Sequence, residues 1–180
     1  MALFRNRYRI ESTRLPNWDY AASATYFVTI CIHKRRHILG DVETEDVQLS
    51  VCGEIAAEQW LKTLKLRTHL QQDGFVIMPN HVHLIFGIDA SARNNNDDDI
   101  HAPNSFGPLK TRSLQSAMNG YKGAVTTACK RAGFADFAWQ SRFYEHIIRD
   151  EPSLHRIRNY VAQNPVRWGL DHNNAEGLWM

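Results

Sequence analysis

Phe75-Val76-Ile77-Met78-Pro79-Asn80-His81-Val82-His83-Leu84-Ile85-Phe86 is the stretch on which the fold turns. Apolar, β-prone residues flank Pro79-Asn80 on both sides, so residues 73–79 and 81–89 read as two strands. Pro79 has no N–H to give a central ladder, which places a bend, a hairpin or a sheet edge there. Side chains alternate across a strand, so His81 and His83 project from the same face. Two imidazoles at that spacing form a ready ligand pair for one divalent metal, or a structural pair in which a ring caps a backbone carbonyl. As ligands they suit zinc, manganese or iron better than magnesium.

Working outward, Thr25-Tyr26-Phe27-Val28-Thr29-Ile30-Cys31-Ile32 is a β-branched and aromatic run ended by charge, a strand. Asp46 to about Leu66 reads as a helix with Ala57, Trp60, Leu61 and Leu64 as its apolar stripe. Residues 90–107, with Asn94-Asn95-Asn96-Asp97-Asp98-Asp99, read as a mobile polar loop within one domain. A second helix is predicted from about Pro108 to Arg131, its stripe Leu114, Ala117, Met118, Tyr121, Val125 and Ala128. Phe137 to Ile148 reads as a last strand. Asp150-Glu151-Pro152-Ser153 then starts a helix, with an acidic cap and Pro in the first turn. It runs to about Asn164, is ended by Pro165, and carries the stripe Leu154, Ile157 and Val161. Residues 166–180 form a tail. The first six elements make a β-α-β-β-α-β unit, an α+β, ferredoxin-like sheet, with an appended C-terminal helix.

At 180 residues, 43% hydrophobic and 22% charged, the chain fits one globular domain over 1–180. No apolar run approaches bilayer length, so no membrane is expected, and residues 1–7 lack a signal-peptide core. Cys31, Cys52 and Cys129 are odd in number and form no CxxC pair, which fits a reducing cytoplasm and no zinc ribbon. The net charge of +2 is small but segregated. Residues 1–20 form a basic arm with Arg5, Arg7, Arg9 and Arg14; Lys34-Arg35-Arg36 follows the first long strand. Arg142, Arg149, Arg156, Arg158 and Arg167 gather near the C-terminus, whereas Asp41–Asp46 and Asp97–Asp99 are acidic. Such segregation suits a phosphate backbone on one surface, although charge alone equally describes an ordinary solvated surface.

Tyr160 and Asn164 lie four apart on the last helix and so share a face beside its apolar stripe. In isolation, Tyr160 is a half-buried aromatic and Asn164 a C-terminal cap. Tyr144, two residues from His146 on a strand, is a rival nucleophile or a stacking residue. Trp18, Trp139 and Trp168 are candidates for stacking on bases, with core packing the simpler reading for Trp60 and Trp139.

Taken together, Met78-Pro79-Asn80-His81-Val82-His83-Leu84-Ile85, Trp139-Gln140-Ser141-Arg142-Phe143-Tyr144-Glu145-His146-Ile147-Ile148-Arg149 and Arg158-Asn159-Tyr160-Val161-Ala162-Gln163-Asn164-Pro165-Val166-Arg167 resemble the REP-associated tyrosine transposases, relatives of the HUH single-strand transposases. The resemblance covers about residues 20–170. It implies Tyr160 as nucleophile, and one divalent ion, Mg2+ or Mn2+, on His81, His83 and Asn164. Many single-strand transposases have Gln where Asn164 stands, and Gln163 lies next to it. It implies cleavage of single-stranded DNA near hairpin or repeat ends through a 5′-phosphotyrosine, followed by strand rejoining. Arg142, Arg149, Arg156 and Arg158 would contact phosphates. It implies a prokaryotic, cytoplasmic, nucleoid-associated protein, monomeric or a homodimer working in trans. Two other readings stand beside it. One is a domesticated protein that grips single-stranded or hairpin DNA without cutting; the other is a zinc hydrolase whose third ligand is a carboxylate or His146.

Overall fold

The computed structural model describes residues 14–92 and 110–170, together with the backbone of a short N-terminal ladder, β1 (Leu3–Phe4) with β2 (Arg7–Tyr8). The 90–107 loop lies largely outside the described residues, as do most of the basic arm and the last ten residues of the tail. Four strands form one antiparallel sheet: β3 (Ala24–Cys31), β6 (Leu70–Met78), β7 (His81–Ile88) and β8 (Tyr144–Ile148), in the order β6-β7-β3-β8. A separate hairpin pairs β4 (Gly40–Glu43) with β5 (Asp46–Leu49). The described residues also form three α-helices: α1 (Val51–Leu66), α2 (Leu114–Arg131) and α3 (Glu151–Gln163).

The period-2 alternation of the strands separates two cores. On β3 and β7, Tyr26, Val28, Ile30, Val82, Leu84 and Phe86 point to the side of α1 and α2, where they meet Trp60, Met118 and Tyr121. Tyr121 is buried and its hydroxyl donates to the Ala56 carbonyl at 3.1 Å, so this aromatic core holds no orphaned phenol. Phe27, Ile85 and Ile148 point the other way and pack with Val161, Leu154 and Ile157 of α3. The pleat thus puts α3 on the same face as His81 and His83.

Pro79-Asn80 is a two-residue turn, since Met78 pairs with His81. Its proline has no ladder partner to fail. The turn is tied inward: Ile32 N–H donates to the Asn80 carbonyl at 2.8 Å and Leu39 N–H to that of Pro79 at 2.9 Å.

Several boundaries differ from the sequence expectation, and β6 opens at Leu70, three residues ahead of the strand read from 73. Asp46–Leu49 is a strand, not the start of a helix. Thr44 and Glu45 both adopt positive φ (48° and 72°) and close a tight hairpin without the usual Gly or Asn signal. Helix α1 starts only after Ser50, whose hydroxyl accepts from Gly53 N–H at 3.2 Å. Its buried face is Cys52, Ala56, Trp60 and Thr63; Leu61 lies 44% exposed because the stripe is rotated toward the neighbouring helix and sheet. A Cβ at Gly53 would come within 2.0 Å of the Leu39 carbonyl oxygen, so only glycine permits this approach. Helix α2 begins at Leu114 behind the Ser113 cap, not at Pro108. Its buried row ends on Cys129, with Ala128 only half-buried. The last strand is confined to Tyr144–Ile148; Trp139 contributes one isolated bridge to Ile32. Helix α3 has the expected Asp150 cap, which accepts from Ser153 N–H at 2.7 Å, and the expected Pro in its first turn. Among the described residues no helix is long and apolar enough to cross a membrane.

Candidate functional site

His81 and His83 are buried, at 0% and 1% exposure, on the α3 face of β7. Each ring is held from behind. His81 Nδ1 is 2.8 Å from Asn80 Oδ1, and His83 Nδ1 is 2.9 Å from Thr29 Oγ1 on the paired strand. An amide oxygen only accepts, so the His81 proton sits on Nδ1 and its Nε2 presents a lone pair. The Thr29 hydroxyl can accept from or donate to His83, so that ring can carry its proton on either nitrogen.

The two Nε2 atoms face each other at 3.0 Å. A proton on His83 Nε2 satisfies that contact as an N–H···N bond. With the proton on Nδ1, two lone pairs converge and a cation is required between them. Two nitrogens each about 2.1 Å from one ion at right angles lie about 3.0 Å apart, so the pair fits adjacent corners of a metal's coordination sphere. Among the described residues no group of three His, Cys, Asp or Glu side chains joins it.

Helix α3 lays Tyr160 over this pair. The Tyr160 hydroxyl is 3.4 Å from His83 Nε2, and the Tyr160 ring meets His83 at 5.3 Å and the edge of Phe27 at 6.1 Å between centroids. The ring is nevertheless 41% exposed, so the phenol opens to solvent on its other side. Asn164, one turn later, is 3% exposed, whereas Gln163 is exposed. Trp168, in the short helix that follows, packs between His37 (5.4 Å) and His81 (6.0 Å).

A cleft of about 560 Å³ opens beside the tyrosine. Phe27, Thr29, Cys31 and His83 form its floor, and Arg35, Gln140, Arg142, Phe143 and Tyr144 its walls. The wall at 140–142 is pinned from α2: Lys122 Nζ donates to the Gln140 carbonyl at 2.6 Å and lies 3.5 Å from that of Arg142. Burial lowers the Lys122 pKa, and the two carbonyls face its ammonium.

The four arginines expected at phosphates are dispersed. Arg142 lines the cleft. Arg149 lines a second cleft with Glu145 and His146, away from the tyrosine, and Arg156 is exposed on α3. Arg158 turns to the sheet edge, where Nε donates to Asp73 Oδ1 at 2.9 Å and Nη1 to Glu151 at 3.2 Å. Asp73 is placed there by a β-bulge between Gln72 and Gly74. The two carboxylates raise the Arg158 pKa still further. Sequence reasoning did not single out Thr29 or Asn80 as partners of the imidazoles, and it named Arg35 only within the basic run Lys34-Arg35-Arg36. Of the first two, only Asn80, beside His81 in the turn, carried a local signal.

Of the tryptophans, Trp60 and Trp139 are buried, and Trp18 donates from Nε1 to the Tyr26 hydroxyl at 3.1 Å.

No protein-family model matches the chain. An uncharacterized protein of Haemophilus influenzae is 30% identical over 163 residues, spanning 89% of this chain and 91% of that protein. The chain belongs to one family with it. A second Haemophilus influenzae protein, "Putative REP-associated tyrosine transposase", is 30% identical over 95 residues, which span 52% of this chain and 48% of that protein. Among solved structures, a REP-associated tyrosine transposase bound to a REP hairpin superposes with a TM-score of 0.61 at 21% identity, covering 91% of this chain and 76% of that one. The chain resembles the REP-associated tyrosine transposases and has their mixed α/β fold.

Proposed function

We propose that this chain, of one family with the Haemophilus influenzae protein and built on the fold of a REP-associated tyrosine transposase, is a metal-dependent single-stranded DNA transesterase. It would cleave near hairpin or repeat ends through Tyr160 and rejoin strands. The observation that carries this reading is the stacking of three groups on one sheet face. The Tyr160 hydroxyl lies 3.4 Å from His83 Nε2, which lies 3.0 Å from His81 Nε2. The β6-β7-β3-β8 order supports reading the sheet as ferredoxin-like, with α3 as the appended tyrosine helix.

In this scheme His81, His83 and Asn164 would hold one divalent ion, Mg2+ or Mn2+. Burial of Asn164 and exposure of Gln163 favour Asn164 as the amide ligand. The bound ion would supply charge relief to the non-bridging phosphate oxygens. Tyr160 Oη attacks the phosphorus, a Tyr–O–P bond forms, and the P–O3′ bond breaks. The 3′ oxygen leaves with a proton, giving a 5′-phosphotyrosine and a 3′-hydroxyl. Another 3′-hydroxyl can then attack the phosphotyrosine, which restores the phosphodiester and returns the proton to Tyr160. Phe27 and His83 fix the phenol ring, and Asn80 and Thr29 fix the imidazoles. The structural relative is bound to a REP hairpin, and hairpin DNA is the substrate class we propose for this chain.

A binding-only reading remains as the second. Wild-type protein incubated with Mn2+ and a hairpin oligonucleotide carrying single-stranded flanks should form a covalent adduct that survives denaturing electrophoresis. Tyr160→Phe should abolish it while retaining binding. No adduct from wild type on any repeat-derived strand would leave the binding-only reading standing. The zinc-hydrolase reading loses support because no third His or carboxylate joins the histidines among the described residues. His146 lines the other cleft.

A further inference from the structure

We propose that the cleft beside Tyr160 is a subsite for one unpaired nucleotide flanking the scissile phosphate, with Tyr144 as the platform on which its base stacks. The inference rests on the transesterase reading and names how that site holds its strand.

The register places Tyr144 directly across from Thr29, and Thr29 directly across from His83. The three side chains stand in one row on the α3 face. Two strand spacings of about 4.8 Å put Tyr144 about 10 Å from the histidine along the sheet, a nucleotide's reach away. Tyr144 is 59% exposed and lines the cleft, so its ring is open to a base there. A tyrosine gives a base a large, rigid apolar face at little conformational cost. Arg35 and Arg142 line the same cleft and bring cationic groups to where that nucleotide's phosphates would run. Arg35 follows Lys34 in a turn where both hold positive φ (53° and 57°), a left-handed pair that β-carbon residues adopt only under constraint. Lys122 holds the opposite wall by the Gln140 and Arg142 carbonyls, so the cleft is pre-formed and not a gap between loose loops. This use of Tyr144 also removes it as a rival nucleophile: its place is to hold the strand while Tyr160 attacks.

The test uses the full chain with Tyr160→Phe, so that binding is read without cleavage. A hairpin oligonucleotide with single-stranded flanks is scanned with one abasic site per flank position. One position near the cleavage point should weaken binding about tenfold, and Tyr144→Ala should weaken the intact strand similarly. Combining the two should cost no more than either alone, because both remove the same stack. Tyr144→Trp should retain affinity, and its fluorescence should be quenched by the intact strand but not by the abasic one. Additive penalties, or an unchanged affinity in Tyr144→Ala, would overturn the subsite. Wild-type adduct formation is scored separately. An adduct with no Tyr144 dependence defeats the subsite alone, and Tyr144-dependent binding with no adduct defeats the cleavage reading alone.

Discussion

A strand with His at alternate positions yields a usable ligand pair only if both rings are aimed, and the aiming is done by Asn80 and Thr29. Asn80 lies in the turn before His81; Thr29 comes from a different strand, 54 residues earlier. Removing either partner leaves the ring free to change tautomer and to turn. We expect Asn80→Ala to weaken Mn2+ binding about 10- to 100-fold, measured by calorimetry, while the far-ultraviolet circular dichroism is unchanged. Equal affinity in the variant would mean that the turn amide plays no part in aiming His81. The shared face of the two imidazoles was legible from two residues. The support from Thr29 was not, because strand register is a property of paired strands and not of either one.

Helix α3 brings the tyrosine to the histidines with few contacts of its own. Val161 is its one buried apolar residue within Glu151–Gln163, with Leu154 and Ile157 partly buried beside it. The ion pair from Arg158 to Asp73 adds a polar fastening at the sheet edge. Such a helix belongs to the low-stability end of a domain. Its amides should exchange hydrogen faster than those of α2, which buries Leu114, Ala117, Met118, Tyr121, Val125 and Cys129. Asp73→Ala should accelerate exchange in residues 151–163 while leaving α2 unchanged, as read by mass spectrometry. Uniform acceleration across the molecule would mean that the pair supports the whole fold. The bounds of α3 were readable because its cap, its first-turn proline and its closing Asn-Pro are local signals. The hairpin at Asp46–Leu49 was not, because Thr44-Glu45 forms its turn without the residue types that announce one. The partner that Arg158 takes was not legible either, because the bulge that brings Asp73 to it is set by strand pairing.

At the scale of the whole molecule the sheet is covered unequally, by two helices on one face and by one on the other. The edge strand β8 joins the N-terminal segment to the site through Glu145. This carboxyl accepts from the Tyr20 hydroxyl at 3.3 Å and pairs with Arg14 at 3.4 Å. Burial raises its pKa, and Arg14 offsets part of that rise. A folded-state pKa above the unfolded value of about 4.3 means that the folded chain holds the proton more tightly. Its stabilising contribution is complete below that unfolded value and is lost as pH rises through the folded one. Glu145→Gln should therefore gain on the wild type in melting temperature between pH 4 and pH 7, with Arg14 keeping an amide oxygen as partner. A difference that stays flat or reverses over that range would show the Arg14 pair outweighing the burial. The sequence by itself determined the order of the four strands of the main sheet and of the three helices, the shared face of His81 and His83, and the N-cap of α3. Each of these follows from periodicities and local hydrogen bonds a few residues long. Only the tertiary structure decided that Tyr160 meets His83, that Arg142 and Tyr144 share its cleft, and that Arg158 does not. Those outcomes depend on sheet order, register and a single bulge, which long-range pairing sets and no local pattern encodes.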